Sequence, residues 1–97
     1  MDRCGILVLL EAKPGKEQEV ADLLTSAKQL VLQEPDTLKW FAFQTGPATF
    51  GIFDTFADED GRQAHATGEV AKALFAKAEE LFASAPQLHM ADLLATK

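Results

Sequence analysis

Hydrophobic and polar positions follow two rhythms along this 97-residue chain, one with a period near two and one near 3.6. Arg3–Ala12 (RCGILVLLEA) is a short apolar run closed by Lys13-Pro14-Gly15, and its length and Ile/Val/Leu content predict a buried strand. Pro14 and Gly15 punctuate the turn into a helix, where a proline is tolerated in the first turn because its missing N–H has no partner there. From Lys16 to about Gln33, the residues Val20, Leu23, Leu24, Ala27, Leu30 and Val31 recur at helical spacing, with Lys16, Glu17, Glu19, Asp22, Lys28 and Gln29 on the other side. That helix has to stop before Pro35, because the residue ahead of a proline avoids the helical region.

Thr37–Thr45 (TLKWFAFQT) and Ala48–Phe56 (ATFGIFDTF), joined by Gly46-Pro47, read as a β-hairpin. In the first arm Leu38, Trp40 and Ala42 share one side and Phe41 and Phe43 the other; in the second, Phe50, Ile52 and Phe56 face away from Phe53. Ala57–Gly61 (ADEDG) is an acidic helix start, with carboxylates at the positive end of the dipole. A short helical piece carrying Ala64 and His65 follows and is interrupted at Gly68. From Glu69 a longer helix runs on Val70, Ala71, Leu74, Phe75, Ala78, Leu81 and Phe82 to about Ser84–Pro86, and Gln87–Ala95 closes the order as a strand. The order β-α-β-β-α-β is the ferredoxin-like arrangement, an α+β fold with an antiparallel sheet in a single domain over 1–97.

Both faces of that sheet carry apolar side chains, whereas a lone antiparallel sheet commonly leaves one face to water. Composition sharpens the point. Hydrophobic residues make up 47% of the chain and charged ones 25%, an ordinary globular balance that excludes disorder. A domain of this size buries only about two thirds or less of its unfolded surface. Pairing with a second copy is therefore the expected fate of the second face. The net charge of −6 and the lack of any Lys/Arg run argue against nucleic acid and anionic membranes as partners. The single cysteine, Cys4, rules out an internal disulfide, and the apolar run around it is too short to span a bilayer and lacks a signal-peptide cleavage site, so a cytoplasmic protein is expected.

Three features could carry chemistry. His65 titrates near neutrality and can take or give a proton, with Glu69 one turn further on as a local partner; the plain alternative is a surface histidine paired with that carboxylate. Asp54 lies among Phe50, Ile52, Phe53 and Phe56, where a carboxylate is costly unless partnered; the alternative is an edge position bonded to backbone. Of the aromatic residues, most are core or interface, and Trp40, Phe43, Phe53, Phe56 and Phe75 are the candidates to line a pocket for a flat aromatic ligand between sheet and helices. No glycine pattern has dinucleotide- or phosphate-loop spacing, Cys4, His65 and His89 lack metal-ligand spacing, and no serine sits at an activated turn, so neither cofactor nor metal is expected.

Asp54-Thr55-Phe56, then Ala57-Asp58-Glu59, then His65 eleven positions after Asp54, together with Pro14-Gly15-Lys16 before the first helix and the Gly46 hairpin, resemble the antibiotic biosynthesis monooxygenase family over nearly the whole chain. That family usually has Glu where Asp54 stands, often Trp where Phe56 stands, and commonly Ser at the place of Gly68. The chain has no Asn, and its one Trp is on the second strand, which disfavours the haem-degrading branch. The resemblance implies a dimeric α+β barrel in which two four-stranded sheets face each other. It also implies oxygenation of a quinol- or polyketide-like aromatic by O₂ without metal or flavin, with His65 as proton acceptor and Asp54 orienting it or the substrate. A homodimer that binds a small ligand, or serves in stress, without chemistry is the competing reading, motivated by Gly68 and Asp54, and a purely structural dimer is the third.

Overall fold

The computed structural model describes residues 1–97. Strand β1 (Cys4–Glu11) leads into helix α1 (Glu17–Val31), and the hairpin β2 (Thr37–Gln44) and β3 (Thr49–Phe56) follows. Helices α2 (Glu59–Ala66), α3 (Glu69–Ala76) and α4 (Ala78–Leu81) then precede β4 (Gln87–Asp92). The four strands form one antiparallel sheet in the order β2-β3-β1-β4, with the helices on one face. This is the α+β, ferredoxin-like fold that the alternation of periods predicts.

Lys13-Pro14-Gly15-Lys16 is a turn outside the helix: the Lys16 N–H donates to the Lys13 carbonyl at 2.9 Å, and Gly15 has φ 85°. Pro14 thus occupies the second position and glycine the third of a type II turn, and a side chain at that third position would be strained. Pro14 therefore serves the turn rather than the first helical turn. The expected single helix after Glu69 is broken at Lys77. The break lets the chain swing back to β1, where Phe82 bridges Ala12 and the Ala83 N–H donates to the Glu11 carbonyl at 2.8 Å.

Alternation sorts the sheet into two faces. Cys4, Ile6, Val8 and Leu10 of β1 and Phe50, Ile52 and Phe56 of β3 meet Val20 and Leu24 of α1, Leu74 of α3 and Leu81 of α4 in the main core. Burial raises the Cys4 thiol pKa, which suits inert packing better than nucleophilic use. The opposite face carries Leu7, Leu9, Phe41, Phe43 and Phe53, and no element of the chain covers it; Phe41 is 54% exposed. There the Phe43 ring lies across Gly51, and the Phe53 ring leans over Gly5. A Cβ on Gly5 would stand 2.5 Å from the Asp54 carbonyl oxygen, a backbone atom that cannot swing aside. Gly5→Ala should therefore cost about 1–3 kcal/mol, as overpacking does. Urea denaturation reads this, and an unchanged midpoint would contradict it.

Between Thr37 and Lys39 the β2–β3 register shifts by one residue, so that Thr37 pairs with Phe56, Lys39 with Thr55 and Trp40 with Asp54. Leu38 is the extra residue of a β-bulge. Its consequence is positional: Thr37 joins Trp40, Asp54 and Phe56 on the helix side of the sheet. No helix is long and apolar enough to cross a membrane.

Candidate functional site

His65 is carried by α2. The Asp58 side chain caps that helix by accepting the Gly61 N–H at 2.9 Å, satisfying one of its free donors. Arg62 ties the same helix to the sheet, donating to the Gly5 and Ala91 carbonyls at 3.4 and 3.2 Å and pairing with Glu59. So fixed, α2 turns Gly61 and His65, one helical turn apart, to the interior.

There the imidazole lies between two carboxylates. Nε2 is 2.8 Å from Asp54 Oδ2, and Nδ1 is 2.5 Å from Glu34 Oε1. Thr37 donates its hydroxyl to the same Glu34 oxygen at 3.0 Å and sits 3.4 Å from Nδ1. The Phe56 ring backs the imidazole, with centroids 5.4 Å apart. Asp54 is 1% exposed and His65 8%; only Glu34 reaches further toward solvent. The Nε2 contact is a close ion contact, and neither Asp54 oxygen has any further hydrogen-bond partner. Trp40, at the facing position on β2, likewise holds its indole N–H buried without an acceptor.

Burial lowers the His65 pKa, but Asp54 and then Glu34 outweigh it, and the net shift is upward from the ordinary 6.5. With a carboxylate oxygen at each ring nitrogen, the doubly protonated imidazolium is the form that fits. A folded-state pKa above the unfolded one means stability that is complete below about pH 6.5 and lost as pH rises through the raised value. Unfolding free energy should fall over that window. Asp54→Asn should move the imidazole midpoint down, as followed by the ring-proton NMR shifts of His65; a wild-type midpoint at or below 6.5 would contradict the geometry.

Of the residues expected at the site, His65, Asp54, Phe56 and Trp40 share the helix side of the sheet. Phe43 and Phe53 stand on the opposite face, since strand parity separates them from Asp54, and Phe75 is 47% exposed on α3. The partner of His65 is Glu34, not Glu69, which opens α3 and pairs with Lys72. His65 is buried rather than on a helix surface, and Asp54 is interior rather than at a sheet edge. Glu34 lies in the α1–β2 loop, 31 positions from His65, where no spacing signals it.

Two cavities meet at Glu34 and Thr37. One, of about 300 Å³, is polar and includes Gln33, Asp36, His65 and Glu69. The other, of about 470 Å³, is an apolar cleft between α1 and β2 walled by Val31, Leu32, Leu38, Trp40 and Phe41. The open space thus lies along the β2 edge, while the space directly between sheet and helices is filled by core side chains. No group of three or more His, Cys, Asp or Glu side chains is arranged to hold a metal ion.

No family model and no curated protein sequence matches the chain. Solved structures do. A protein of unknown function from Nitrosomonas europaea, NE2512, is 50% identical, with a TM-score of 0.97 over 100% of this chain and 94% of its own. A proposed antibiotic biosynthesis monooxygenase from Caulobacter crescentus superposes with a TM-score of 0.82 at 20% identity, covering 97% of this chain and 92% of that one. Another from Nitrosomonas europaea gives 0.84 at 13% identity, covering 95% and 99%. The chain belongs to the same family as the NE2512 protein, and its fold is that of the antibiotic biosynthesis monooxygenases.

Proposed function

We propose that this protein is a cofactor-independent monooxygenase acting on a small hydroxylated aromatic. The observation that carries the reading is the line Glu34–His65–Asp54, whose exposed end stands in the wall of an aromatic cleft. His65 cannot touch substrate directly, because both ring nitrogens face carboxylates. A phenolic or acidic C–H proton is taken through Glu34 to the neutral imidazole, across the 2.5 Å contact. The imidazolium so formed lies between two carboxylates, which makes His65 a stronger base than free imidazole. Asp54 positions it.

The substrate anion then passes one electron to O₂, and the radical and superoxide combine at a ring carbon. Protonation and loss of water leave a carbonyl there, so that one oxygen atom ends in product and the other in water, with no reductant besides the substrate. The apolar cleft excludes water from the radical pair.

Oxygen-electrode assays with a panel of hydroquinones, chelator present, test this. Uptake above the uncatalysed rate is expected, rising with pH as His65 loses its proton. Glu34→Gln should lower it by about 10²-fold or more, the usual contribution of a positioned base. No uptake, or none lost in Glu34→Gln, would sink the proposal.

The closed-off imidazole also favours a second reading, a ligand-binding protein without chemistry. An aromatic that stays bound and unchanged in air would select it. In either case two copies pair through the open face of Leu9, Phe41, Phe43 and Phe53. Light scattering at micromolar concentration should return twice the chain mass. The reading places the protein in the cytoplasm, where the unpaired Cys4 stays a thiol.

A further inference from the structure

The apolar cleft is lined by charge of both signs. Its one acidic residue is Glu34. Lys28 lines the same cleft on α1, one turn before Val31 and Leu32, and is its single basic residue. Most lysines of this acidic chain are engaged: Lys16 with Glu19, Lys39 with Asp2, Lys72 with Glu69 and Lys77 with Glu80, while Lys13 reaches the Glu79 carbonyl. Lys28 has no carboxylate within salt-bridge distance, although the sequence holds 15 acidic residues against 9 basic ones. Trp40 lines the same wall, with its indole N–H buried. The cleft thus offers one unpaired cationic donor and one carboxylate.

We propose that the cleft selects a hydroxylated aromatic carrying a carboxylate, with Lys28 as the residue that reads the charge; this rests on the reading of the cleft as the substrate site. The ring lies against Trp40, its hydroxyl meets Glu34, and its anionic group points to Lys28. A net charge of −6 repels anions at long range, so the discrimination is local and weakens with added salt. A lysine in the last helical turn also complements the helix dipole, but that role leaves ligand affinity untouched.

Trp40 is the only tryptophan, so its fluorescence reports binding in this cleft. Under argon, 2,5-dihydroxybenzoate should bind about tenfold more tightly than 2,5-dihydroxybenzamide, as expected for one hydrogen bond to a charged group. Lys28→Gln should bring the acid down to the affinity of the amide, and Lys28→Arg should keep the preference. Equal affinities, a preference that survives Lys28→Gln, or no binding of either probe overturns the proposal. Lys28-dependent binding of the acid without oxygen uptake in air sinks the monooxygenase reading and leaves this one standing. Oxidation of hydroquinones with no preference for the acid does the reverse.

Discussion

Replacing His65 with alanine should destabilise the protein by about 3–5 kcal/mol, the usual cost of removing one partner from a buried ion pair. Asp54 is 1% exposed, and His65 is its one cationic partner, so the variant leaves a carboxylate in the interior with neither counter-charge nor hydrogen bond. Glu34 loses its contact at the same time but sits nearer to solvent. For a domain of this length that free energy corresponds to a fall of roughly 15–30 °C in Tm. Thermal unfolding followed by circular dichroism at pH 6 measures it, since the imidazolium form dominates there. A fall under about 5 °C would show that the charge line is not held as described. Above the raised His65 midpoint the gap between wild type and variant should narrow, because the wild type loses the same interaction on its own.

Phe56→Ala should cost a comparable amount, about 3–5 kcal/mol, for a different reason. Phe56 is fully buried, 0% exposed, at the point where β1, β2 and β3 pair side by side, with Cys4 and Thr37 as its register partners. Truncation removes the ring's transfer free energy and leaves a cavity that three hydrogen-bonded strands cannot close. The cavity opens beside the imidazole, so the His65 pKa should shift as well, a coupling that a remote core truncation would not show. Phe56→Leu fills most of the volume and should recover more than half of the loss, judged by the urea midpoint. A Phe56→Ala protein as stable as wild type would mean that the ring does not hold the sheet to α2.

Most of the fold was legible because the periods are clean. Ile6, Val8 and Leu10 alternate, Val20, Leu24, Ala27 and Val31 recur at three and four, and the hairpin is marked by Gly46-Pro47. The break at Lys77 was hidden because apolar spacing runs through it; what decides it is the tertiary pairing of Phe82 with Ala12. The site was half legible. His65 and Asp54 stood out by residue type and setting, and they meet. Glu34 did not, because its place beside His65 depends on how the α1–β2 loop packs against α2. Nor did Thr37, which only the bulge at Leu38 turns inward. Parity alone separates Phe43 and Phe53 from Asp54 and Phe56, so an aromatic box drawing on all of them had to straddle the sheet.

The strand order β2-β3-β1-β4 also bears on how the chain comes into being. β1, the first of the four strands to be made, is hydrogen-bonded on one edge to β3 and on the other to β4, the last of the four. The hairpin and α1 can form as they emerge, but β1 stays half unpaired until residue 92 has left the ribosome, and the sheet closes only afterwards. A synthesis truncated anywhere in the final helices would therefore leave an apolar strand edge open to its neighbours, a ready template for aggregation.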